Sequence, residues 1–548
     1  MSNYDSINKI WSSNNQKSIF NPETSVGEIV LYSLERTPDK ICEISDDYGS
    51  FLTCLEVRKR SIQVAKCLTN IGVKFGDICA IVSKNNPEVS SVAFGCLFIG
   101  SPLNTLDPSF DQKDFCHMLG LTRPKIIFAE SSVVNEIQSA CNKIKLQAKI
   151  YCFTNKDGTV TDDIDSVKSL FDPNHIIEDF EEYFPVQIPN TRKHIAFIIC
   201  SSGTSGLSKG VCTSHAQIVA QTLRFWPIHS SDTIFAFSSL YWITGIMTLL
   251  RGVVEGSIRI NTCQPFTPEY YLKLIEKHRI TNAFVPPSQM ALMLECEDIK
   301  NAVLSSFQRC YTGGSFVLEE LRMEFEKQLG NDGKVIVGYG MSEIASSCTI
   351  NFKRKPGSVG GVVNEHQIKI VSEDGESLGP GEKGEICILP PVLFLGYYGN
   401  EEQLNDILDS EGWLHSGDLG YFDSDGYLFI VGRKKEMIKF RNHQIAPGDI
   451  EGIVQQTTGL NQVCAVAIED HRHGTDLPAV VLVRPMNFHL NEEQIINVLD
   501  KNLTDIKKLR GGVYFVAKLP MTPSGKVLRR LTKELANNLW RETLEKEK

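Results

Sequence analysis

The chain has 548 residues, of which 42% are hydrophobic and 22% are charged. It is several times longer than a typical domain and can bury a large core, so both a small binding module and a disordered chain are excluded. Its 56 basic and 66 acidic residues give a net charge of −10. This balance argues against a broadly basic surface, and nucleic acid is not an expected partner.

The sixteen cysteines are scattered from Cys42 to Cys464 without a C-x-x-C pair, which excludes a zinc ribbon and a thioredoxin motif. The first residues lack an apolar secretory segment, so we expect reduced thiols. The most apolar stretch, residues 234–250, is broken by polar residues and is predicted to be buried core rather than a transmembrane segment. Residues 545–548 are not a Ser-Lys-Leu type of peroxisomal signal, so the expected location is cytoplasmic.

Short apolar runs alternate with helical patterns through the first two-thirds of the chain. Residues 78–82 and 125–129 are typical of buried strands, and residues 57–68 have the spacing of an intervening helix. Continuous apolar strands predict a parallel sheet covered by helices on both faces. Beyond about residue 350, Asp374-Gly375 and Asp425-Gly426 are hairpin signals between β-rich runs, which predicts an antiparallel β subdomain.

The last part of the chain, from Arg433 onward, is again mixed. It has a helix start at Pro447 and strand patterns at residues 463–467 and 479–483, and it is long enough for a small domain. The predicted fold class is therefore α/β. A large N-terminal domain, residues 1–432, would contain the parallel sheets and the antiparallel subdomain, and residues 433–548 would form a small α+β C-terminal domain.

The strongest local signal is the run Ser201-Ser-Gly-Thr-Ser-Gly-Leu-Ser-Lys-Gly210, which follows an apolar strand pattern. Three glycines expose backbone N–H groups, five hydroxyls add donors and Lys209 adds a positive charge, which together predict a loop that holds phosphate. A Walker A motif is excluded because Gly-Lys-Ser/Thr is absent. The alternative is a flexible surface turn, although the strand and the lysine weigh against it.

A second signal is the run Val335-Ile-Val-Gly-Tyr-Gly-Met-Ser-Glu343, where a buried strand ends in a glycine-flanked turn. Residues at the carboxyl end of a parallel strand point into the crevice where α/β sheets bind ligands. Glu343 is a candidate ligand for Mg²⁺ on a nucleotide phosphate, since this cation prefers carboxylate oxygen. Taken alone, Glu343 fits an exposed acid at the start of a helix better.

Three charged residues lie in further turns: Trp413-Leu-His-Ser-Gly-Asp418, Gly432-Arg433 and Pro523-Ser-Gly-Lys526. Each one alone is typical of a solvated charge or a local cap. Together they match the needs of an adenylating enzyme, which uses an acid for the ribose hydroxyls, a basic group near ribose or phosphate, and a cation at the reacting oxygens.

With these motifs, the chain resembles the adenylate-forming superfamily of acyl-CoA synthetases, peptide-synthetase adenylation domains and firefly luciferases, and within it the branch of luciferases and 4-coumarate-CoA ligases. The resemblance covers about residues 25 to 535, with the motifs in family order. It implies a mobile C-terminal lid and a reaction that uses ATP, Mg²⁺, CoA and a carboxylic acid. The acid attacks the α-phosphate of ATP to give acyl-AMP and pyrophosphate, and the CoA thiol then displaces AMP. A peroxisomal location also occurs in this family.

The resemblance implies roles for individual residues. The nucleotide would be bound by Ser201, Ser202, Gly203, Thr204, Ser205, Gly206, Lys209, Gly313, Gly314, Ser315, Tyr339, Gly340, Ser342, Asp418 and Arg433. Within this set, Ser342 replaces the threonine of the family's Tyr-Gly-x-Thr-Glu motif. The catalytic residues would be Lys526 and Glu343 for adenylation, Lys435 at the hinge, and Lys439 for the second step.

One position departs from the family pattern. The family usually has glycine where this chain has Asn442. Asparagine tolerates left-handed backbone geometry better than most residues, but its side chain would crowd a pantetheine path. The departure therefore bears on CoA use and not on adenylation.

The acid substrate is predicted from the stretch Leu240-Tyr-Trp-Ile-Thr-Gly245, which matches a His-His-Gly stretch of luciferases. Trp242 replaces the histidine, which disfavours light emission and suggests an apolar wall beside an acyl tunnel, with Gly245 next to it; the alternative is plain core. Residues 284–287 and 290–293 are further lining candidates, although helical Met and Leu are more often core. We expect a medium- or long-chain fatty acid. The alternatives are a 4-coumarate-type acid, a luciferase-type oxygenase and a non-enzymatic binding protein.

Overall fold

The computed structural model describes residues 2–13, 20–21, 23–154, 164–171, 180–201, 208–222, 227–330, 332–363, 365–400, 402–441, 443–470, 475–484, 488–521 and 526–546. Its α-helices, in chain order, are α1 (Val26–Glu35), α2 (Cys54–Asn70), α3 (Val89–Phe98), α4 (Gln112–Thr122), α5 (Val134–Lys143), α6 (His215–Gln217), α7 (Ile243–Glu255), α8 (Pro268–His278), α9 (Pro287–Glu295), α10 (Glu319–Gln328), α11 (Glu402–Asn405), α12 (Pro447–Thr458), α13 (Glu492–Leu499) and α14 (Arg529–Lys546).

The strands of the first half are β1 (Asn3–Asp5), β2 (Ile10–Ser12), β3 (Ile41–Ser45), β4 (Ser50–Thr53), β5 (Cys79–Val82), β6 (Leu103–Leu106), β7 (Ile126–Glu130), β8 (Lys149–Phe153), β9 (Asp165–Ser166), β10 (Ile195–Ser201), β11 (Lys209–Ser214), β12 (Thr233–Ala236) and β13 (Ile258–Asn261). Those of the second half are β14 (Asn282–Phe284), β15 (Arg309–Gly313), β16 (Lys334–Met341), β17 (Ser346–Ile350), β18 (Gly361–Val362), β19 (Gln367–Val371), β20 (Gly384–Leu389), β21 (Leu414–Phe422), β22 (Leu428–Arg433), β23 (Ile438–Phe440), β24 (His443–Ile445), β25 (Val463–Asp470), β26 (Thr475–Val483) and β27 (Val513–Val516).

Two largely parallel sheets organise the N-terminal part of the chain. One has the strand order β11-β10-β6-β5-β7-β8-β9, and the other has the order β18-β17-β16-β15-β14-β12-β13-β3-β4. Helices α1, α2, α3 and α7 contribute to one buried apolar cluster with strands of the first sheet. Helices α4 and α5 cover the other face of that sheet, and α8, α9 and α10 cover one face of the second. The predicted parallel sheets with helices on both faces are confirmed.

The antiparallel subdomain is also confirmed, with one feature that the sequence did not reveal. Its sheet has the order β1-β2-β19-β20-β21-β22, and the two predicted hairpin turns join β19 to β20 and β21 to β22. The N-terminal hairpin β1-β2 adds two strands to this sheet. Trp11 is fully buried there, with its ring stacked 4.7 Å from Tyr4 and 4.5 Å from Phe422.

The C-terminal part contains the small sheet β25-β26-β27 and the hairpin β23-β24. Helix α12 begins at Pro447 as predicted, where proline needs no hydrogen bond for its nitrogen, and it ends at Gly459 with a φ of 72°. An apolar cluster with Ile450 and Val480 at its centre forms a separate core in this part. The α+β character is confirmed, while the exact domain boundary at residue 433 stays a prediction.

The apolar stretch predicted at residues 234–250 is divided between the end of β12 and the first part of α7. Most of its side chains are buried, so the prediction of core is confirmed. Within the described part of the chain, no helix has both the length and the apolar character needed to cross a membrane. The sixteen cysteines are free thiols.

Candidate active site

Asp418 is the centre of the candidate site. It lies on β21 opposite Arg433 of β22 and is 8% exposed. The hydroxyl of Tyr339 donates to Asp418 Oδ2 at 2.7 Å, and Arg433 Nε donates to Asp418 Oδ1 at 3.1 Å. Burial, and then the charge of Asp418, raise the pKa of Tyr339 well above its usual range. The tyrosine therefore keeps its proton at neutral pH and remains a donor.

Lys526 reaches this site from the C-terminal part of the chain. Burial, and then the positive charge of Arg433, lower the pKa of Lys526, while Glu436 and Asp418 act in the opposite direction. Lys526 is thus within the electrostatic influence of the Asp418 and Arg433 pair, and Arg529, three residues further on, has its Nε 3.0 Å from Glu436 Oε2. The fold thus brings together Tyr339, Asp418, Arg433 and Lys526, which are far apart in the sequence.

The predicted phosphate loop is closed by a β-hairpin. Ser201 ends β10 and Lys209 begins β11, and the two residues are partners in the antiparallel ladder. Ser202, Gly203, Thr204, Ser205 and Gly206 lie outside the described residues. A strand follows this loop, so the donors available to an anion are loop N–H groups and hydroxyls rather than a helix N-terminus.

Lys209 and Glu343 meet at Tyr397, a residue that the sequence analysis did not identify. The Lys209 ammonium lies 4.5 Å from the centre of the Tyr397 ring, and the Tyr397 hydroxyl donates to Glu343 Oε1 at 2.8 Å. Burial, and then the charge of Glu343, raise the pKa of Tyr397. The only sequence signal was a Tyr-Tyr pair flanked by glycines at 396 and 399.

Glu343 lies in a single 3₁₀ turn, Ser342–Ile344, at the end of β16. Two buried glutamines hold this turn, because Gln217 Nε2 donates to the Glu343 carbonyl at 2.9 Å and Gln221 Nε2 donates to the Ile344 carbonyl at 2.6 Å. Glu343 is half-buried. The interpretation as an exposed acid at a helix start is therefore wrong.

One protein carboxylate is enough for a Mg²⁺ ion that is otherwise bound by substrate phosphates and water. A metal ion bound only by protein side chains needs several ligands. Among the described residues, no group of three or more His, Cys, Asp or Glu side chains lies close enough to hold a metal ion. Mg²⁺ is usually bound through one or two carboxylates together with substrate phosphates and water. The Glu343 carboxylate, near Lys209 and the phosphate loop, fits that arrangement.

The glycines of the predicted nucleotide site allow close approach of two strands. A Cβ on Gly313 would lie 2.4 Å from the Gly338 carbonyl oxygen, and a Cβ on Gly340 would lie 2.2 Å from the Ser346 carbonyl oxygen. Larger residues are excluded at both positions. Gly314 and Ser315, which follow β15, are exposed at the same end of the sheet.

Trp242 and Gly245 lie where α7 begins. Trp242 is the residue before the helix, is half-buried, and meets Tyr241 edge-on at 4.7 Å. A Cβ on Gly245 would lie 2.0 Å from the Ser239 carbonyl oxygen, so packing alone requires glycine there. Trp242 packs against the apolar cluster under α4 and α5, and its role as the wall of an acyl tunnel stays a prediction.

Met290 and Met293 are fully buried in the cluster under α8, α9 and α10. The two methionines are therefore core, as the alternative for this stretch had it, and the suggestion that residues 290–293 line the acyl site stays a prediction for Ala291 and Leu292, which are half-buried. Phe284 instead packs on the α7 side of the sheet, with Met247 and Tyr311.

Lys435 and Lys439 follow Arg433 in the chain. Both side chains are exposed, and Lys439 lies on the hairpin strand β23. Asn442, in the turn of that hairpin, is outside the described residues. Next to Lys435, Lys434 Nζ is 3.2 Å from Glu385 Oε2, and Glu385 Oε1 accepts a hydrogen bond from the Gly417 amide at 3.2 Å. The segment after Arg433 is thus tied to the strand of Asp418.

The chain matches two family models. The model described as AMP-binding enzyme covers residues 31–398, and the model described as AMP-binding enzyme C-terminal domain covers residues 449–526. The first match alone spans more than half of the chain.

Relatives and solved structures agree with these matches. The chain is 28% identical to a probable 4-coumarate–CoA ligase 1 of Dictyostelium discoideum, over 94% of this chain and 96% of that protein. It is also 28% identical to luciferin 4-monooxygenase of Photinus pyralis, over 88% and 89% of the two chains. Its fold is similar to that of the anthranilate CoA ligase AuaEII in complex with anthranoyl-AMP, with a TM-score of 0.84, 20% identity, and coverage of 95% and 98%.

Proposed function

Since the chain belongs to the AMP-binding enzyme family, we propose that it is an AMP-forming acid–CoA ligase that activates a carboxylic acid with ATP and transfers the acyl group to CoA. The observation that carries this proposal is the hydrogen-bonded group of Tyr339, Asp418 and Arg433, whose charges act on Lys526 from the C-terminal part of the chain. An adenylating enzyme needs a cation where the carboxylate meets the α-phosphate, and Lys526 is a suitable cation on the C-terminal side of the site.

In the proposed first step, a carboxylate oxygen forms a bond to the α-phosphorus of ATP, and the bond to pyrophosphate breaks. Two anions approach one another, so catalysis depends on positioning and on positive charge at the attacking and leaving oxygens. Lys526 would stabilise the attacking side, and Lys209 with the loop N–H groups would stabilise the leaving phosphates. Mg²⁺ held at Glu343 would supply further charge neutralisation there.

The nucleotide would be fixed by the hydrogen-bonded group around Asp418. Its carboxylate is already oriented by Tyr339 and Arg433, so its outer lone pairs are available to ribose hydroxyls. Gly314, where a Cβ would meet nothing within 4 Å, would leave room for a flat base beside the strands. Preorganised groups of this kind lose little entropy when substrate binds.

In the proposed second step, the CoA thiol sulfur bonds to the acyl carbonyl carbon, its proton is released, and AMP leaves. The surface with Lys439 would have to turn towards the site, since Lys439 is exposed on β23. Several contacts between the described residues of the two parts are polar, such as Gln456 to Glu320 at 2.8 Å and Asn461 to Glu295 at 2.6 Å. Contacts of this kind favour a domain that rotates.

The test is acid-dependent release of pyrophosphate from ATP, measured with a panel of fatty acids and hydroxycinnamates, with and without CoA. We expect pyrophosphate and AMP only when a suitable acid is present, and a thioester only when CoA is added. Light emission from an acyl-adenylate would instead support the oxygenase, and ATP binding without pyrophosphate release would support a binding protein.

Trp242 should influence which acid is used. Replacement by alanine removes an indole at the edge of the site and should shift the preference towards longer or bulkier acids, with a loss of stability of about 2 kcal/mol because the ring is only half-buried. The ratio of kcat/KM between fatty acids and cinnamates measures this, with Trp242→Phe as the conservative control. A folded Trp242→Ala protein with the wild-type order of preference would show that Trp242 is core.

A further inference from the structure

Two ion pairs flank the predicted hinge residue Lys435 and attach its neighbours to different parts of the molecule. On one side, Lys434 Nζ is 3.2 Å from Glu385 Oε2 on β20, a strand of the antiparallel sheet. On the other side, Glu436 Oε2 is 3.0 Å from Nε of Arg529, the first residue of α14. The residue before Lys435 is therefore bound to the N-terminal part, and the residue after it is bound to the C-terminal part.

Arg529 is anchored in the interior of the C-terminal part. Its Nη1 lies 2.5 Å from Glu451 Oε1 and donates to the Ala465 carbonyl at 2.5 Å. Glu451 of α12 is 9% exposed, and its Oε1 also accepts a hydrogen bond from the Ala465 amide at 2.8 Å. A carboxylate and a guanidinium are stable at such a buried place because each is paired. The guanidinium thus joins α12, β25 and the segment of Glu436 into one unit.

Lys526 is joined to this unit over a short stretch of chain. The Leu528 amide donates to the Pro520 carbonyl at 2.8 Å, and Arg529 follows directly. This hydrogen bond closes the chain behind Lys526, so only Val527 and Leu528 separate the lysine from the anchored guanidinium. A displacement of Arg529 would therefore displace Lys526 as well.

The same ion pair acts on Lys526 through its charges. Burial, and then the positive charge of Arg433, lower the pKa of Lys526. The carboxylates of Glu436 and Asp418 raise that pKa, and the guanidinium of Arg529 lowers it. Glu436 and Arg529 thus influence Lys526 with opposite signs, as expected from their opposite charges.

We propose that Arg529 and Glu436 are positioning residues for adenylation, because their ion pair ties Lys526 to the segment that directly follows the hinge. Lys526 would then enter and leave the candidate site as one body with that segment, and the backbone of Lys435 would absorb the rotation. This inference rests on the acid–CoA ligase function proposed above. In the proposed arrangement, neither residue touches substrate, and both act through Lys526.

Glu436→Gln is the main test variant. The Glu436 side chain is 37% exposed and that of Arg529 is 23% exposed, so loss of the glutamate charge disturbs the core less. We expect acyl-AMP formation to be about tenfold slower, the usual loss for one charge-assisted hydrogen bond. The reaction of pre-made acyl-adenylate with CoA should change little, because Lys526 is assigned to the first step alone.

The pH profile of acyl-AMP formation gives a readout that a merely structural role would not move. The rate should fall at high pH as Lys526 loses its proton. Glu436→Gln removes a charge that raises the pKa of Lys526, so the fall should occur at lower pH than in the wild type. Arg529→Gln removes a charge that lowers this pKa, so the fall should occur at higher pH. Arg529→Lys keeps the positive charge and should leave the fall at the wild-type pH.

Arg530→Gln is the matched control. Arg530 is the next residue of α14, its side chain is 55% exposed, and its Nη1 is 2.6 Å from Glu534 Oε1 on the same helix. This variant removes an ion pair of the same kind from the same helix without involving Glu436. Both steps and the pH profile should stay as in the wild type. Melting temperatures are measured for every variant, so that rates are compared only among folded proteins.

Opposite shifts of the pH profile in Glu436→Gln and Arg529→Gln support the proposal. Equal losses in both steps, or profiles that stay at the wild-type pH, overturn it. If Arg529→Gln does not fold, the profile of Glu436→Gln decides alone.

If no acid releases pyrophosphate from ATP in the wild type, the proposed function fails. The rate at which acetic anhydride labels Lys526, followed by mass spectrometry across pH, then reports the pKa of this lysine without any turnover. Opposite shifts of that pKa in the two variants would still show that Glu436 and Arg529 act on Lys526, and unchanged values would overturn this inference too.

Discussion

Replacement of Lys526 by alanine should abolish acyl-AMP formation and leave the reaction of pre-made acyl-adenylate with CoA largely intact. The charges of Arg433 and Asp418 act on Lys526, which we propose lies where a carboxylate would approach the α-phosphate. Loss of one preorganised positive group at developing charge costs about 10²- to 10³-fold in rate. Acid-dependent pyrophosphate release measures the first step, and thioester formation from the adenylate measures the second.

Replacement of Lys439 by alanine tests the second step, as replacement of Lys526 tests the first. Its side chain is exposed on β23 and is proposed to serve only the second step, so Lys439→Ala should form acyl-AMP normally and convert it to the thioester slowly. Lys518→Ala, at another exposed lysine of the C-terminal part, is the matched control and should affect neither step. Equal losses in both steps, or no loss in either variant, would contradict the proposed division between the two surfaces.

The pH profile supplies an independent check on Lys526. Burial and the neighbouring Arg433 lower its pKa below the 10.5 of a free lysine. The charged form is therefore complete only below this lowered pKa, and the rate of acyl-AMP formation should fall as the pH rises through it. The fall should be absent from the residual rate of Lys526→Ala.

Much of the fold was predictable because its signals are local. Buried parallel strands appear as continuous apolar runs, and the two Asp-Gly turns join neighbouring strands. The hairpin β1-β2 was missed because its partner β19 is more than 350 residues away in the chain. No local pattern shows that Trp11 will be stacked between Tyr4 and Phe422.

In the candidate site too, residues with a local sequence signal were predictable and residues that act through distant contacts were not. Asp418, Arg433 and Lys526 were found because each lies in a recognisable sequence motif, although Asp418 and Arg433 lie on paired strands and not in the turns that were predicted. Tyr397 and Gln217 were missed, since their roles come from contacts with Glu343 across a long sequence separation. The burial of Met290 and Met293 depends on which face of the sheet α9 covers, and apolar spacing alone does not specify that face.

Replacement of Glu343 by glutamine should slow acyl-AMP formation by about 10- to 10²-fold and raise the Mg²⁺ concentration needed for half-maximal rate. The amide keeps the shape of the side chain but loses the negative charge that a hard cation prefers. Its backbone turn should remain, because Gln217 and Gln221 bind carbonyl groups rather than the side chain.

Tyr397→Phe is the matched control for this prediction. It keeps the ring near Lys209 but removes the hydroxyl that donates to Glu343 Oε1, so the carboxylate charge is preserved and only its orientation is loosened. We expect a loss of a few-fold at most, in line with one neutral donor to a charged acceptor. Measuring pyrophosphate release against Mg²⁺ concentration in the wild-type, Glu343→Gln and Tyr397→Phe proteins separates the loss of the carboxylate charge from the loss of its orientation. A Glu343→Gln enzyme with the wild-type rate and the wild-type Mg²⁺ dependence would show that the metal is held elsewhere and that Glu343 serves only to anchor Tyr397.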